Sequence, residues 1–516
     1  MLFDINEKTL KKFNNLVDKV VLAFSPKWAL ERKAYRHAFN TYRDFAGSSR
    51  TGNHSDWIVG NGNITPTTWE LKELRNRSRD INRNEPIGAG ITDTLNVNVV
   101  GSGLRFQSKI RAEVLGISES KAEEYRNQAE TAITEFSKHA DSANILTFEE
   151  IQWLAFRKII EDGEIIALPG WATEPWRSYN RVLELVEADR LESKGMDIAG
   201  SLEQGIELGS RGQPIRYHFK KPNSQEFEII DARDSYGRPK VLHIFPTKRP
   251  GQLRGIPFFA PVISYFRNLA RYLDAEVVAA RVTACLALIF TKKTNPNIAA
   301  QYNSFGTEVS DNGKTSKLQE FKPGMVHYAA EDEEVVPFDP NRPGITFQPF
   351  VETSLRMIGA ALGLPYELVL KDFSKTNYSS ARAALLEGRR MFSFWRTWFV
   401  QKFNQPVSEF VLEEAFLKDL FNVRDFYTYR SEYCRGIWLG NGWGWVDPVK
   451  EVEASRLAID SGLSTLAEEN AAQGRDWQET LAQRKRERPL ELEAGILPSE
   501  KTESAGETKN VEPDTK

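Results

Sequence analysis

Six acidic residues in the first half of this 516-residue chain have the type and spacing that could do metal chemistry. Paired carboxylates can bind a divalent metal and support nuclease chemistry. The neighbouring sequence has no lysine motif and no histidine at ligand spacing, so solvated acids or interface salt bridges are favoured. We therefore predict no metal site and no cofactor at these acids, which are Glu161, Asp162, Glu164, Glu184, Glu187 and Asp189.

A basic group lies further along the chain, around residues 365–377, which read PYELVLKDFSKTN. This loop carries Lys371 and Lys375 between two patterns of apolar residues at helical spacing. The second pattern opens at Tyr378 and has arginines every seventh residue, which share one face: Arg382, Arg389 and Arg396. Such a loop between stiff helices suits a long charged partner, although periodicity alone favours a helical hairpin with a solvated basic face.

Motifs of several enzyme classes are absent from the sequence. It has no GxxxxGK[ST] phosphate loop, no GxSxG nucleophile elbow and no HExxH pair. The six histidines are distant from one another in sequence, and paired-cysteine metal patterns are missing. These absences lower the expectation of an enzyme without abolishing it, since distant residues can converge in a fold.

The bulk properties are those of a multi-part globular chain. Its length exceeds one ordinary core, and its formal net charge is −3. Two cysteines, Cys285 and Cys434, argue against a disulfide framework and suit a reducing cytoplasm. We expect no secretory signal and no membrane span, because the richest apolar run, residues 282–290, is about half the ~20 residues that a bilayer needs.

Local patterns predict a mixture of helices and strands. Helices are expected at residues 70–83, 122–139, 148–160 and 261–291, and strands at 164–168, 181–186, 206–208 and 215–219. Arg75, Arg79 and Arg83 would share a helical face, and we expect acidic groups to pair with them. The helix after Tyr378 should bend at Pro406. Aromatic residues at 427–445 favour a structural cluster over base stacking.

Three blocks of sequence carry a family resemblance. LGLPYELVLKDFSKTNYSSARAALLEGRR, residues 362–390, closely resembles the lambda-type portal protein family of tailed bacteriophages and prophages. Residues 74–104, with LRNRSRDINRNEP and NVVGSGL, resemble a second family block, and residues 443–487, with Asp447-Pro448, resemble its C-terminal block. Together with weaker similarities they cover roughly residues 30–490 in the expected order.

This resemblance implies an α+β, mostly helical portal fold with long stem and tunnel helices. It divides the chain into an N-terminal arm (1–66), a wing (67–258), a first stem helix (259–293), a clip (294–346), a second stem helix (347–363), a tunnel loop (364–378), a tunnel helix with wing return (379–446) and a helical crown (447–489). Residues 490–516 are rich in charged residues and contain prolines, so we expect them to be disordered.

The resemblance also implies a function without catalysis. The chain would form a ring of twelve copies with head-to-tail contacts at one capsid vertex, assembled in the bacterial cytoplasm and retained in the virion. Double-stranded DNA would pass through its channel during packaging and ejection. The partners would be further copies of the chain, the terminase large subunit, the major capsid protein or scaffold, and a head-tail completion (adaptor) protein.

Site residues follow from the same resemblance. The tunnel loop would face DNA with Lys371, Asp372, Ser374, Lys375 and Asn377, next to the basic face of the tunnel helix. The acidic clip residues would dock terminase and then the adaptor: Glu331, Asp332, Glu333 and Glu334. Two alternatives stay open, a metal-dependent nuclease or maturation enzyme and a purely structural connector without a DNA-contacting loop.

Overall fold

The computed structural model describes residues 66–195, 197–198, 200–285, 288–292, 307–311, 314–318, 333–337 and 347–494. The described chain is mixed α+β and mostly helical. Its helices are α1 (Thr68–Asn84), α2 (Pro86–Val99), α3 (Ala112–Leu115), α4 (Glu119–Ser137), α5 (Phe148–Asp162), α6 (Ile263–Cys285), α7 (Phe347–Leu362), α8 (Tyr366–Leu370), α9 (Tyr378–Phe399), α10 (Gln405–Leu417), α11 (Arg430–Tyr433), α12 (Pro448–Asp460), α13 (Leu466–Ala472) and α14 (Trp477–Glu493).

The strands form small antiparallel sheets. They are β1 (Arg105–Ser108), β2 (Ile165–Trp171), β3 (Arg181–Val186), β4 (Leu202–Glu203), β5 (Ile206–Leu208), β6 (Pro214–Lys220), β7 (Phe227–Asp231), β8 (Leu242–Ile244), β9 (Leu288–Lys292), β10 (Thr307–Asp311), β11 (Lys314–Leu318), β12 (Glu333–Pro337) and β13 (Gly436–Leu439). The sheet orders are β3-β2-β8, β4-β5-β6-β7, β1-β13, β10-β11 and β12-β9. Strands β5 and β6 lie where strands were predicted, and they pair as a hairpin across residues 209–213.

The main core lies among helices α2, α4, α5, α9 and α10. Aromatic side chains dominate it, and the fully buried Phe148, Phe156, Phe399 and Phe403 contact one another through edge and tilted ring pairs. Such pairs stabilise by about 0.5–1.5 kcal/mol each beyond their buried area. A smaller cluster around Phe219 lies between the two larger sheets. The core therefore fixes α9, the helix that follows the basic loop.

Several helix ends follow directly from the sequence. Thr67 with Glu70 and Thr147 with Glu150 form capping boxes that start α1 and α5. Gly163 ends α5 with a φ of +87°, and a Cβ there would lie 2.3 Å from the Ile256 carbonyl carbon. Only glycine suits this position, because both its backbone conformation and its close approach exclude a side chain.

The helix predicted for residues 261–291 is wrong beyond its first part. Helix α6 ends at Cys285, and Leu288–Lys292 is a strand paired with Glu333–Pro337. The run LALIFTK is rich in residues that favour strands, and a distant partner segment decides its state. The loop expected at residues 365–377 is also shorter, because α8 occupies its first part.

The bend predicted at Pro406 takes another form. A π-helical turn, Val400–Asn404, joins α9 to α10, and Pro406 lies in the first turn of α10. Proline lacks the backbone N–H that would bond four residues back, so the irregular turn precedes it. At the C-terminal end, α14 continues to Glu493, so the tail predicted from residue 490 begins too early.

Some predictions fall outside the described residues. These are the arm at 1–65, most of the clip, the tail beyond 494, and Glu331 with Asp332. Glu333 and Glu334 belong to β12. Within the part that the structure describes, no helix is both long and apolar enough to cross a lipid bilayer.

Candidate nucleic-acid interface

The acidic residues near the end of α5 are countercharges to buried arginines. Glu164 is fully buried and accepts hydrogen bonds from Arg254 Nε and Nη2 at 2.8 and 2.6 Å, and from Arg75 Nη2 at 2.5 Å. The Gly255 amide donates to its other oxygen at 2.5 Å. Burial by itself would raise the pKa of Glu164, but Arg254 and then Arg75 hold it well below its usual range.

The neighbouring acids are paired in the same way. Arg79 Nε donates to Asp162 Oδ1 at 2.6 Å and Arg79 Nη1 to Asp189 Oδ2 at 2.5 Å. Lys158 Nζ lies 2.8 Å from Glu161 Oε2. No cluster of metal-ligating side chains occurs among the described residues. The ion pairs with Glu164, Asp162 and Asp189 confirm the predicted pairing for Arg75 and Arg79, while Arg83 of the same row is exposed.

The basic loop is reduced to six residues, 371–376, between α8 and α9. Lys371 adopts a left-handed conformation with φ +57° at the end of α8, and its side chain is exposed. Asp372 Oδ1 accepts from Ser374 N at 2.9 Å, and Asn377 Oδ1 caps α9 by accepting from Ser380 N at 2.8 Å. The loop residues predicted to face DNA thus include two that shape the loop itself.

The two lysines of this loop differ. Lys375 Nζ donates a hydrogen bond to Glu352 Oε1 on α7. Lys371 makes no ion pair within the described part of the chain. Sequence spacing made these lysines equivalent, and only the fold shows that one of them already has an acidic partner.

The three arginines of α9 do not form a free basic face. Arg396 donates to the carbonyls of Val99 at 2.9 Å and Asn98 at 2.8 Å and lies over the Trp443 ring at 4.9 Å. Burial lowers the pKa of Arg396. Arg389 Nη2 donates to the Gly444 carbonyl at 2.6 Å. The expectation of a basic face is therefore corrected for Arg396 and Arg389, because both side chains hold the segment before α12. Arg382 is half-buried.

The exposed face of α9 is a different one, which the sequence analysis did not identify. Leu386 and Phe394 are 45% and 66% exposed, and Arg390 lies between them. Leu386, Arg390 and Phe394 follow one another at intervals of four residues and so share a helical face, but the arginine between the two apolar residues obscured this signal. An exposed apolar stripe of this kind is typical of a surface that another chain covers.

The aromatic residues after Tyr427 are structural where they are buried. Tyr433 Oη donates to the Arg424 carbonyl at 2.8 Å, and Trp438 packs on Phe148 and Phe106. Trp443 lies under Arg396. The prediction of a structural cluster is confirmed for these three rings, whereas Tyr427 is 60% exposed.

Helices α12 to α14 join the body through a few polar contacts. Asp447 caps α12 with Pro448 in its first turn, and Thr465 and Glu468 form a capping box at the start of α13. Asp476 caps α14 but without the reciprocal bond of a full box. Helices α12 and α13 bury no side chain, although they carry exposed valines and leucines.

Comparison with known proteins defines the class of this chain. Residues 50–396 match the family model described as phage portal protein, lambda family. The chain is 24% identical over 459 residues to the portal protein of Escherichia phage N15, covering 82% of this chain and 85% of that protein. It is 24% identical over 457 residues to portal protein B of Escherichia phage lambda, covering 82% and 84%.

A further relative is the probable portal protein of Halomonas phage phiHAP-1, 23% identical over 422 residues, covering 78% of this chain and 77% of that protein. Among solved structures, a chain from the neck of a native gene transfer agent particle, computed with C12 symmetry, matches with 12% identity and a TM-score of 0.40, covering 79% of this chain and 94% of that one. The chain belongs to the lambda family of phage portal proteins. It is a structural component of the virion at the head-tail connection and not an enzyme.

Proposed function

We propose that twelve copies of this chain close into a ring whose channel conducts double-stranded DNA during packaging and ejection. The observation that carries the proposal is the family match over residues 50–396. Exposed apolar side chains on the long helices support it, because a monomer leaves them uncovered. They are Val277 and Val278 on α6, Met357 on α7, and Leu386 and Phe394 on α9.

The regions of the ring are assigned by the same proposal. Helices α6 and α7 would be the stem. Their contact supports this, since Tyr272 stacks on Phe347 and packs at a tilt against Phe350, with ring centroids 5.8 and 4.6 Å apart. Residues 67–258 would form the wing and 294–346 the clip. Helices α12 to α14 would form the crown. The clip would dock the terminase large subunit and later the adaptor protein, and the wing would meet the capsid.

The DNA contact is assigned to the loop at 371–376. Lys371 supports this role, because it is exposed and has no ion pair among the described residues. A ring of copies repeats each lysine, and a protein with 6–10 phosphate contacts loses a factor of about 10³–10⁵ in DNA affinity between 50 and 200 mM salt. One exposed loop lysine from each subunit, in a chain of net charge −3, would give weak contact that still permits sliding.

The test uses the phage's own procapsids assembled with Lys371→Ala plus Lys375→Ala. Filled particles of this variant should lose DNA faster than the parent at low salt, because the phosphate contacts are gone. The difference should shrink as salt is raised, because salt weakens those contacts in the parent. A matched control is Lys121→Ala plus Lys138→Ala, which removes two surface lysines that pair with Glu124 and Glu135 of α4. Equal DNA retention in variant and parent would contradict the proposed contact.

The alternative of a purely structural connector remains distinguishable. Its loop would show no DNA-dependent protection when filled and empty particles are compared by chemical footprinting. A nuclease is not favoured, because Glu164 and Asp162 are already bound by arginines.

A further inference from the structure

The loop at 371–376 is folded back onto α7 instead of extending freely. Lys375 reaches the carboxylate of Glu352, and this contact joins the loop to the middle of the preceding long helix. Inside the loop, Thr376 Oγ1 donates to the Phe373 carbonyl at 2.9 Å. Two kinds of contact therefore hold the loop, one local and one across to α7.

Glu352 is itself held in place. Gln348 Nε2 donates to Glu352 Oε1 at 2.7 Å, and Arg356 Nη2 lies 3.3 Å from Glu352 Oε2. The Glu352 side chain is 17% exposed, whereas that of Lys375 is 56% exposed. Hydrogen bonds from Lys375 and then Gln348 lower the pKa of Glu352, so the carboxylate is ionised at neutral pH. A fixed negative charge thus faces a lysine on a short loop.

We propose that Glu352 is a positioning residue that holds back Lys375, so that of the two lysines of this loop Lys371 is the one available for contact with DNA. The inference rests on the proposed function of the loop. A phosphate can engage Lys375 only by displacing the Glu352 carboxylate, which exchanges one anion for another. The net gain from such an exchange is small compared with binding to an unpaired lysine.

The consequence is a ring with limited adhesion to its DNA. Each phosphate contact changes the slope of log affinity against log salt by about 0.9. Its contribution to the affinity therefore falls roughly threefold between 50 and 200 mM salt. Releasing Lys375 around a ring would add such contacts in several subunits at once. Glu352 therefore keeps the number of phosphate contacts low enough for the DNA to slide.

The experiment measures binding of a short linear duplex to purified rings across 50–200 mM salt. The variants are Glu352→Gln, Lys375→Ala, their combination, and Lys371→Ala plus Lys375→Ala. Glutamine keeps the size of glutamate and its contact with Gln348 but removes the charge. Glu73→Gln is the matched control, because Glu73 forms an exposed ion pair with Arg77 at 2.7 Å on α1.

Glu352→Gln should strengthen binding at least threefold at low salt and steepen the salt slope by about 0.9 or more. Adding Lys375→Ala should remove this gain, and Lys375→Ala alone should weaken binding less than the loss of both lysines does. A Glu352→Gln ring that binds like the parent, or no more tightly than the Glu73→Gln ring, would overturn the inference.

Failure of the inference is separable from failure of the proposed function. If the double lysine variant weakens binding and Glu352→Gln does not strengthen it, the loop contacts DNA but Glu352 does not restrain Lys375. If the double lysine variant binds like the parent, the loop contact itself is contradicted and the inference falls with it.

Discussion

Arg254 binds the carboxylate of Glu164 through two nitrogen atoms, and both side chains are almost wholly removed from solvent. Arg254 also donates to the carbonyls of Ala188 and Leu191, at 2.9 and 3.0 Å. One carboxylate therefore joins the end of α5, the turn after β3 and the segment before α6. These acids, which could have suggested a metal site, instead hold the sheets against the helices.

Replacing Glu164 by alanine should destabilise the fold by about 3–5 kcal/mol, because Arg254 would remain buried without a countercharge and Arg75 would keep only Asp189, at 3.5 Å. Thermal unfolding of the purified protein measures this. The depressed pKa of Glu164 sets the pH dependence: its contribution is present above its unfolded pKa and is lost as pH falls through the folded value. Glu184→Ala, which removes an exposed partner of Arg190, is the control and should change stability by less than about 0.5 kcal/mol. An equally small change in Glu164→Ala would contradict the account.

Glu130 gives a pH dependence of the opposite sign. It lines a cavity of about 430 Å³ together with Asp476 and Glu479, and burial raises its pKa to about 7 despite a hydrogen bond from Ser108 N. A raised pKa means that stability is fully present below the unfolded pKa and declines as pH rises toward 7. Glu130→Gln should therefore stabilise the protein by on the order of 1–2 kcal/mol at pH 8 and have little effect at pH 4.5. A gain that is the same at both pH values would rule out the titration of Glu130 as its cause.

Arg396 should act on stability and not on DNA. Lysine in its place cannot donate to the carbonyls of Asn98, Val99 and Asn441 at once, so Arg396→Lys should cost about 1–3 kcal/mol. Hydrogen exchange should rise in the segment before α12, while the salt slope of DNA binding stays at the parent value. A shallower salt slope with unchanged stability would restore the basic face that the sequence predicted.

The exposed stripe on α9 should be covered in the assembled ring. Leu386→Asp plus Phe394→Asp should shift rings toward smaller species in light scattering, because the charges would be buried between subunits. The stability of the separated subunit should change by less than about 0.5 kcal/mol, since both side chains are exposed in it. Ile145→Asp, at an apolar residue that is 79% exposed in a loop, serves as the control and should leave rings intact. Intact rings in the double variant would place the subunit contact elsewhere.

Local signals in the sequence predicted what local physics controls. The helices predicted at 70–83 and 148–160 and the strands predicted at 181–186 and 215–219 have clear local patterns, and the structure has them. The pairing of Arg75 and Arg79 with acids was also predictable, because a row of like charges repels itself unless acidic groups lie nearby.

Contacts between distant segments determine the parts of the fold that the sequence did not predict. Strand β1 pairs with β13, and β9 with β12, across long stretches of chain, and local residues alone do not reveal these partners. Arg396 follows the seven-residue spacing of the arginines on α9, which predicted a polar face. In the fold it is partly buried and donates to carbonyls at the end of α2 and on a distant segment. The Lys375–Glu352 contact joins residues 23 apart, and helical periodicity carries no information on it.

The central claim is that many copies of this chain enclose a pore, and electron microscopy of the purified full-length protein tests it most directly. The account predicts annular particles with one central hole and twelvefold symmetry in the assembled portal. A protein that stays monomeric under every assembly condition, with no annular form and no place at a virion vertex, would contradict it.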